Sequence, residues 1–425
     1  MIKGANIRLI VHNILFSIYK YNKTLNDSYI TKKFERENKQ DIAFLYNVTL
    51  NSMRYHLHVL KIINKYAKKK LRDHEKILLI SATTQIVYLE FEEYAVINCS
   101  VEISKKLKLY SGFINACLRK IALNKRDLKK IKIEFSDFPN WFKKSTQSLS
   151  VKDKDYFIKD FYKEPDTHIV FKDSDKLNEF DQKLIKTSEI SGFLMNKFDI
   201  KKNKSFIKGD WWVQDFSSFF TLYNFKIEGI NKRILDGCAA PGGKSFQLLS
   251  KNFEVTLNDK SKKRIEILKS NLNRLKFNPK ILNQDFIKIS NNEKFDIIII
   301  DAPCSAVGTI RRNPEIFFKT KGPNFKELIN LQKSMLEKAS ILLNKGGFII
   351  YMTCSFLSDE TVEQINRFLQ KNNDFTVYDF QLKKNNISFS RLIKNNFMIT
   401  LPNNILNKKI DGYFAACLKK NDINV

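Results

Sequence analysis

The chain is poor in acidic residues, in histidine and in the residues that break helices. It has 45 Asp and Glu against 74 Lys and Arg, a formal net charge of +29 over 425 residues. That excess favours a polyanionic partner, most simply nucleic acid. The other source of such a charge is composition alone, a Lys-, Asn- and Ile-rich chain of the kind AT-rich coding produces. Six cysteines occur and none stands in a Cys-x-x-Cys pair, which argues against a disulfide framework and against a metal site of the zinc type. Thiols kept reduced point to the cytoplasm. No apolar run is long enough to span a bilayer, so no membrane partner is expected. Ile7, Ile10, Val11, Ile14, Leu15 and Ile18 share one helical face, His12 and Asn13 interrupt the run, and no small-residue cleavage site follows. This reads as a domain's first helix rather than a signal peptide; the lack of acid before Asp27 leaves a mitochondrial presequence as the weaker reading.

What is present divides the chain into three. Residues 1–125 carry helical apolar stripes, contain only Gly4 and Gly112 as glycines and have no proline. They read as an all-α bundle of about five or more helices. The bundle ends in a basic run of Arg119, Lys120, Lys125, Arg126, Lys129, Lys130 and Lys132, which is either a solvated face or an RNA contact. Residues 95–121, AVINCSVEISKKLKLYSGFINACLRKI, resemble the closing helices of NusB-like domains, an RNA-binding fold. Residues 126–210 read as a small mixed connector, with Glu164–Phe171 as a strand. From 211 to 425 strand and helix alternate: strands at Ile234-Leu235, Phe253–Leu257, Lys280–Leu282, Phe295–Ile300 and Gly347–Met352, with two more runs in the tail at Phe397–Leu401 and Gly412–Leu418. An α/β sheet closed by a last antiparallel pair suits a methyltransferase better than a dehydrogenase. Trp211 and Trp212, at its start, read as core.

The centre of this region is Arg233–Lys244, RILDGCAAPGGK, a strand, an acid and a glycine-rich turn into a helix. A phosphate-binding Walker loop fails by one place, because Cys238 stands five before Gly243. The dinucleotide pattern G-x-G-x-x-G fails because Ala239 holds its second glycine position. What remains is a turn that lets a ligand approach the backbone and aims helix-start N–H groups at an anion. The carboxylate of S-adenosylmethionine is one anion that suits it. Four acids fall at strand ends, Asp236, Asp259, Asp285 and Asp301. Asp259 follows Asp236 by 23 residues, near the ~20-residue offset at which an acid reaches ribose hydroxyls; Asp285 lies one strand on, toward an adenine. A single strand-end Asp is more often a turn former or helix cap. Four in register after one glycine turn are read as a site.

Two strands end in Cys-Ser pairs, Cys304-Ser305 and Cys354-Ser355. All five histidines (His12, His56, His58, His74 and His168) precede this region, which excludes a Ser-His-Asp triad or a His-bearing metal site drawn from within it. Thiols and carboxylates remain. Methylation of nitrogen or oxygen needs only a lone pair and a base. The C5 of a pyrimidine is poorly nucleophilic, and a thiolate adding to C6 turns C5 into an enamine carbon. Asp301 is placed to support N3, a second thiol can assist release, and the base must leave its stack. Spacing does not rank the two cysteines.

DGCAAPGGK, DAPCSAVGTIRRNP and YMTCS resemble the motifs of RNA cytosine-C5 methyltransferases, and with the NusB-like front the chain is most similar to the RsmB (Sun) type, which modifies small-subunit ribosomal RNA. Val213–Ser218 and Asp411–Phe414 also look like family elements. The resemblance implies a Rossmann-like methyltransferase domain preceded by an all-α NusB-like bundle and a connector, with S-adenosylmethionine as cofactor and ribosomal RNA as partner. It implies that Cys354 is the nucleophile and that Cys304 assists product release. It implies cofactor contacts from Cys238, Ala239, Ala240, Pro241, Gly242, Gly243 and Lys244, and from Asp259, Asp285 and Asp301. Asp301 thus has two roles open to it. Ala306 stands where the family commonly has glycine, Asn313 where it has histidine, and Thr167–Phe171 lacks its Arg-Val-Asn stretch. Arg311 and Arg312 read as phosphate or cofactor-side contacts or as solvated loop. A monomeric enzyme is expected. The rivals are a non-catalytic RNA-binding assembly factor and a cytosine methyltransferase acting on transfer RNA or DNA.

Overall fold

A computed structural model describes residues 4–25, 39–225, 232–379, 392–402 and 404–422. The chain forms two compact units, one of residues 1–163 and 310–322, the other of residues 164–309 and 323–425.

Among the described residues, the first unit opens with six helices: α1 (Ala5–Tyr21), α2 (Lys39–Arg54), α3 (His56–Tyr66), α4 (Asp73–Val87), α5 (Glu93–Lys106) and α6 (Ser111–Leu123). In α1, Val11, Ile14, Leu15 and Ile18 recur at helical spacing and bury one face. Helix α4 is buried continuously from Ile77 to Val87, as befits a helix packed against α1, α2, α3, α5 and α6. Two of its buried polar side chains are held by hydrogen bonds: Thr84 Oγ1 donates to Ile80 O at 2.8 Å, and Gln85 Oε1 accepts from Arg8 Nε at 2.7 Å.

Residues 126–163 continue this unit through α7 (Asn140–Ser145) and α8 (Val151–Asp160). Phe138, Phe142, Phe157 and Phe161 make an aromatic cluster, and Phe317, from a helical turn at Glu315–Phe318, completes it at 4.8 Å from Phe142. The segment 310–322 therefore folds with the first unit, although it lies between the two Cys-Ser motifs in sequence. Arg311 is neither a phosphate contact nor a solvated residue. It is 1% exposed, and its Nε donates to Asp160 O at 3.0 Å. Arg312 is exposed.

The second unit opens with a four-stranded antiparallel sheet, in the order β2 (Leu184–Ser188), β3 (Ser191–Leu194), β1 (His168–Phe171) and β4 (Trp211–Val213). Residues 126–210 are thus divided between the units, and Trp211–Val213 pairs with β1 rather than beginning the methyltransferase sheet. Trp211 and Trp212 are both core residues. His168 is buried here, between Gln214 O at 2.8 Å and Thr187 Oγ1 at 2.8 Å.

The larger sheet has, among the described residues, nine strands. Five are parallel: β5 (Ile234–Asp236), β6 (Val255–Asn258), β7 (Ile281–Leu282), β8 (Phe295–Asp301) and β9 (Leu343–Thr353). Four are antiparallel: β10 (Phe375–Tyr378), β11 (Ile393–Lys394), β12 (Phe397–Thr400) and, after a small hairpin of β13 (Asn404–Ile405) and β14 (Lys408–Lys409), β15 (Tyr413–Lys420). The order is β11-β12-β15-β9-β8-β5-β6-β7, with β10 also pairing with β15. Ile297–Ile300 are all buried, as a strand covered on both faces requires. The covering helices are α9 (Phe216–Asn224), α10 (Gly243–Leu249), α11 (Lys262–Leu275), α12 (Phe325–Leu342) and α13 (Val362–Leu369). No helix among the described residues is long and apolar enough to cross a membrane.

Candidate active site

Strand order reverses at β5, with β6 on one side and β8 on the other, so the crevice outside its carboxyl end is where a ligand meets the sheet. The turn leaving β5 is pinned from both flanks. Gly237 N–H donates to Ile299 O in β8 at 2.9 Å, and Ala239 N–H to Asn258 O in β6 at 2.8 Å. Ala240 N–H donates to Asp259 Oδ2 at 3.3 Å, Arg264 donates to Ala240 O, and Asn271 Nδ2 to Pro241 O at 3.1 Å. Ala239 and Ala240 thus shape the loop rather than offer it donors. Gly242 has φ +116°, and a Cβ there would overlap the Phe246 ring. Gly242→Ala is expected to cost about 1–3 kcal/mol of stability, read as a lowered melting temperature; an unchanged melt would show that the turn relaxes freely.

The strand-end acids differ in what they face. Asp236, at the end of β5, is buried and accepts Ser245 Oγ at 2.6 Å; burial pushes its carboxyl up to about 6. Asp259 accepts Ser261 N–H at 2.9 Å and lies 3.3 Å from Arg264 Nη1, so it buttresses the turn. Asp285 pairs with Lys260 at 2.8 Å, and that ammonium holds its carboxyl below the ordinary value. Asp301 Oδ2 pairs with Lys244 Nζ at 2.6 Å, and its Oδ1 accepts from Tyr413 Oη at 3.4 Å. The side chains of Asp285 and Asp301 keep 24% and 32% of their surface exposed, against 4% for Asp259, so the first two are the acids open to a ligand.

The thiols meet because β8 and β9 are parallel neighbours with Asp301 paired to Met352. Cys304 and Cys354 leave these strands side by side, both reduced, with their sulfurs 3.4 Å apart. Gly308 N–H donates to Cys354 O at 3.0 Å, and Gly412 N–H to Gly308 O at 2.8 Å. A Cβ at 308 would overlap the Gly412 carbonyl, so this stack behind the Cys354 turn requires glycine. The hydrogen bond to Cys354, and then burial, push the Cys304 thiol well above its usual value. Cys304 is therefore held protonated. Cys238 is not a competing nucleophile: burial, followed by the carboxylates of Asp236, Asp301 and Asp259, pushes its thiol strongly up. Cys99, Cys117 and Cys417 are buried elsewhere.

Residues 228–419 match the family described as 16S rRNA methyltransferase RsmB/F, and residues 5–123 match the NusB family. The methyltransferase domain belongs to the RsmB/F family. The chain combines this α/β domain, built on a mixed sheet, with an all-helical NusB region at the front. The ribosomal RNA small subunit methyltransferase B of Shewanella oneidensis is 27% identical over 390 residues, covering 87% of this chain and 91% of that protein. That of Photorhabdus laumondii is 38% identical over 175 residues, 40% of each chain. Among solved structures, PH0851 has a TM-score of 0.71 at 20% identity over 99% of both chains. NSun6 from Pyrococcus horikoshii, solved with SFG, has a TM-score of 0.56 at 17% identity over 68% of this chain and 99% of its own. At these identities the likeness is one of fold.

Three features of this RsmB/F-family site are not readable from motif spacing. Lys244 reaches across to Asp301, and Tyr413 in β15 reaches the same carboxylate. Beneath the thiols, the buried carboxylate of Glu360 joins both Cys-Ser turns. The only signal for the last is an acid close after Cys354, in a stretch (Asp359, Glu360, Glu363) that looks like the solvated start of a helix.

Proposed function

We infer that this methyltransferase acts on C5 of a cytosine in 16S ribosomal RNA through a covalent bond between Cys354 and C6. The observation that carries the reading is the thiol pair, 3.4 Å apart at adjacent strand ends, beside the part-exposed Asp301. The donor set suits S-adenosylmethionine, which when bound supplies an electrophilic methyl group. Asp285 and Asp301 offer open carboxylates to its hydroxyl and amino groups, and the Gly242-Gly243 turn admits it closely. The chain's own residues then act on the base. Cys354 thiolate adds to C6, and the electron pair displaced from the C5–C6 bond makes C5 nucleophilic. Asp301 supports N3 while charge develops there. Once C5 carries the methyl group, its proton leaves to a base, the C5–C6 double bond re-forms and the Cys354–C6 bond breaks. Cys304, held protonated, donates its S–H to the departing sulfur.

Residues 1–125 and the connector (126–210) would hold the RNA while residues 211–425 carry out the chemistry, in a cytoplasmic monomer. Lys129, Lys130 and Lys132 of the basic run line a cleft of about 550 Å³ in the first unit together with Lys159, His58 and Tyr162, four lysines against the two acids Glu134 and Asp155. Replacing Lys132 and Lys159 by Ala is expected to weaken RNA binding and to lower the slope of log affinity against log salt by about one per lysine. An unchanged slope would place the RNA elsewhere. Bisulfite sequencing of 16S ribosomal RNA from cells with and without the gene tests the activity: one protected cytosine should become convertible when the gene is deleted. An unaltered 16S pattern would remove this substrate.

A further inference from the structure

Glu360 closes the helical turn Ser358–Glu360, six residues after Cys354, and is fully buried. A carboxylate in such a place is costly unless donors surround it. Four do. Its Oε1 accepts Ser305 N–H at 2.8 Å and Gln332 Nε2 at 3.2 Å. Its Oε2 accepts Ser305 Oγ at 2.5 Å and Ser355 Oγ at 2.7 Å. Among the described residues none of these partners is a cation. Gln332 Nε2 also donates to Pro303 O at 2.9 Å, and Tyr351 Oη to the Glu360 carbonyl at 2.9 Å. A side chain held only by neutral donors in a core is a poor source of stability. Its connections all lead to one place, the two turns that carry Cys304 and Cys354.

We propose that Glu360 is the positioning residue of the thiol pair, clamping the Cys304-Ser305 and Cys354-Ser355 turns together and so fixing the distance between the sulfurs. The proposal rests on the two-thiol mechanism inferred above. Ionised carboxylate is the chemistry the clamp needs, because it accepts at every lone pair and donates nothing. The amide of glutamine has the same shape but turns an NH₂ group toward hydroxyls that now donate. The carboxylate has a second effect. With Cys354, and with Tyr351 and Tyr413 on the surrounding strands, it belongs to the anionic or acidic groups facing Cys304, and its charge helps keep that thiol protonated.

The test uses full-length Glu360→Gln and Ser355→Ala, the second removing one arm of the clamp and leaving the carboxylate. S-adenosylmethionine affinity by calorimetry reports whether each variant is folded. Methylation of transcribed 16S ribosomal RNA gives kcat and KM, and iodoacetamide alkylation against pH, read by peptide mass spectrometry, gives the state of each thiol. For Glu360→Gln, kcat should fall about 10²-fold, the loss expected of a misplacement near 1 Å, with KM for RNA and cofactor affinity held within about threefold. Cys304 should become alkylatable at lower pH, since a negative charge beside it has gone. Ser355→Ala should move kcat in the same direction by about tenfold. Wild-type kcat in both variants would overturn the proposal. So would losses of kcat and of cofactor affinity in step, which would make Glu360 a support of the fold alone, and so would an unmoved alkylation profile. Failure of the two-thiol mechanism would show separately, as methylation near the wild-type rate in both Cys354→Ala and Cys304→Ala with Glu360 intact.

Discussion

Cys354→Ala is expected to lose methyl transfer by at least ~10⁴-fold and to form no covalent adduct with RNA, while still binding RNA and S-adenosylmethionine as the unaltered chain does. The size of the effect follows from the chemistry of C5, which without a sulfur on C6 has too little electron density to attack a methyl group. The substitution removes one part-exposed sulfur and disturbs little packing, and the backbone stack of Gly308 and Gly412 behind the turn uses the Cys354 carbonyl, which alanine retains. Single-turnover methylation with labelled cofactor, together with denaturing electrophoresis of the protein–RNA mixture, reads both quantities. Residual turnover near the wild-type rate would mean that no thiol addition occurs at this position.

Cys304→Ala is expected to do the opposite to the adduct. Bond formation through Cys354 survives, but the S–H that lies 3.4 Å from the departing sulfur is gone. Turnover should fall about 10²- to 10³-fold, within the range lost with a general acid or base, and the covalent species should accumulate in proportion to enzyme. The pH dependence carries a sign as well. Cys304 is held protonated well above the ordinary thiol range, so in the unaltered enzyme release should not weaken as pH rises through the value of a free cysteine. If adduct and turnover vanish together in Cys304→Ala, and Cys354→Ala accumulates adduct, the two thiols have exchanged roles.

The site was legible where local pattern and chemistry coincide. Ile297–Ile300 announces a strand covered on both faces, and a strand that runs into Asp301 or into Asp236 places that acid at a carboxyl end whatever the rest of the chain does. The two Cys-Ser pairs were legible for the same reason, since two parallel neighbours deliver their following loops to the same side. What could not be read depends on partners distant in sequence. Phe317 finds its cluster with Phe138 and Phe142 about 180 residues upstream, so segment 310–322 leaves the methyltransferase unit and Arg311 is buried instead of meeting phosphate. Trp211–Val213 joins an antiparallel sheet because its partner is Ile169–Phe171, and nothing in three apolar-aromatic residues says which sheet they extend. Asp259 has the spacing of a ribose ligand, yet here its oxygens hold Ala240, Ser261 and Arg264. Glu360 was invisible because a buried carboxylate and a solvated one look alike until their donors are known.

The most direct measurement identifies the sulfur bonded to the base. RNA carrying 5-fluorocytidine at the target position cannot lose a C5 proton, so it should halt the enzyme with the methyl group transferred and the protein still attached. Digestion and mass spectrometry of the trapped species should find the nucleotide on the peptide containing Cys354 and none on that containing Cys304. Attachment at Cys304, or an enzyme that methylates normally and traps nothing, would contradict the account.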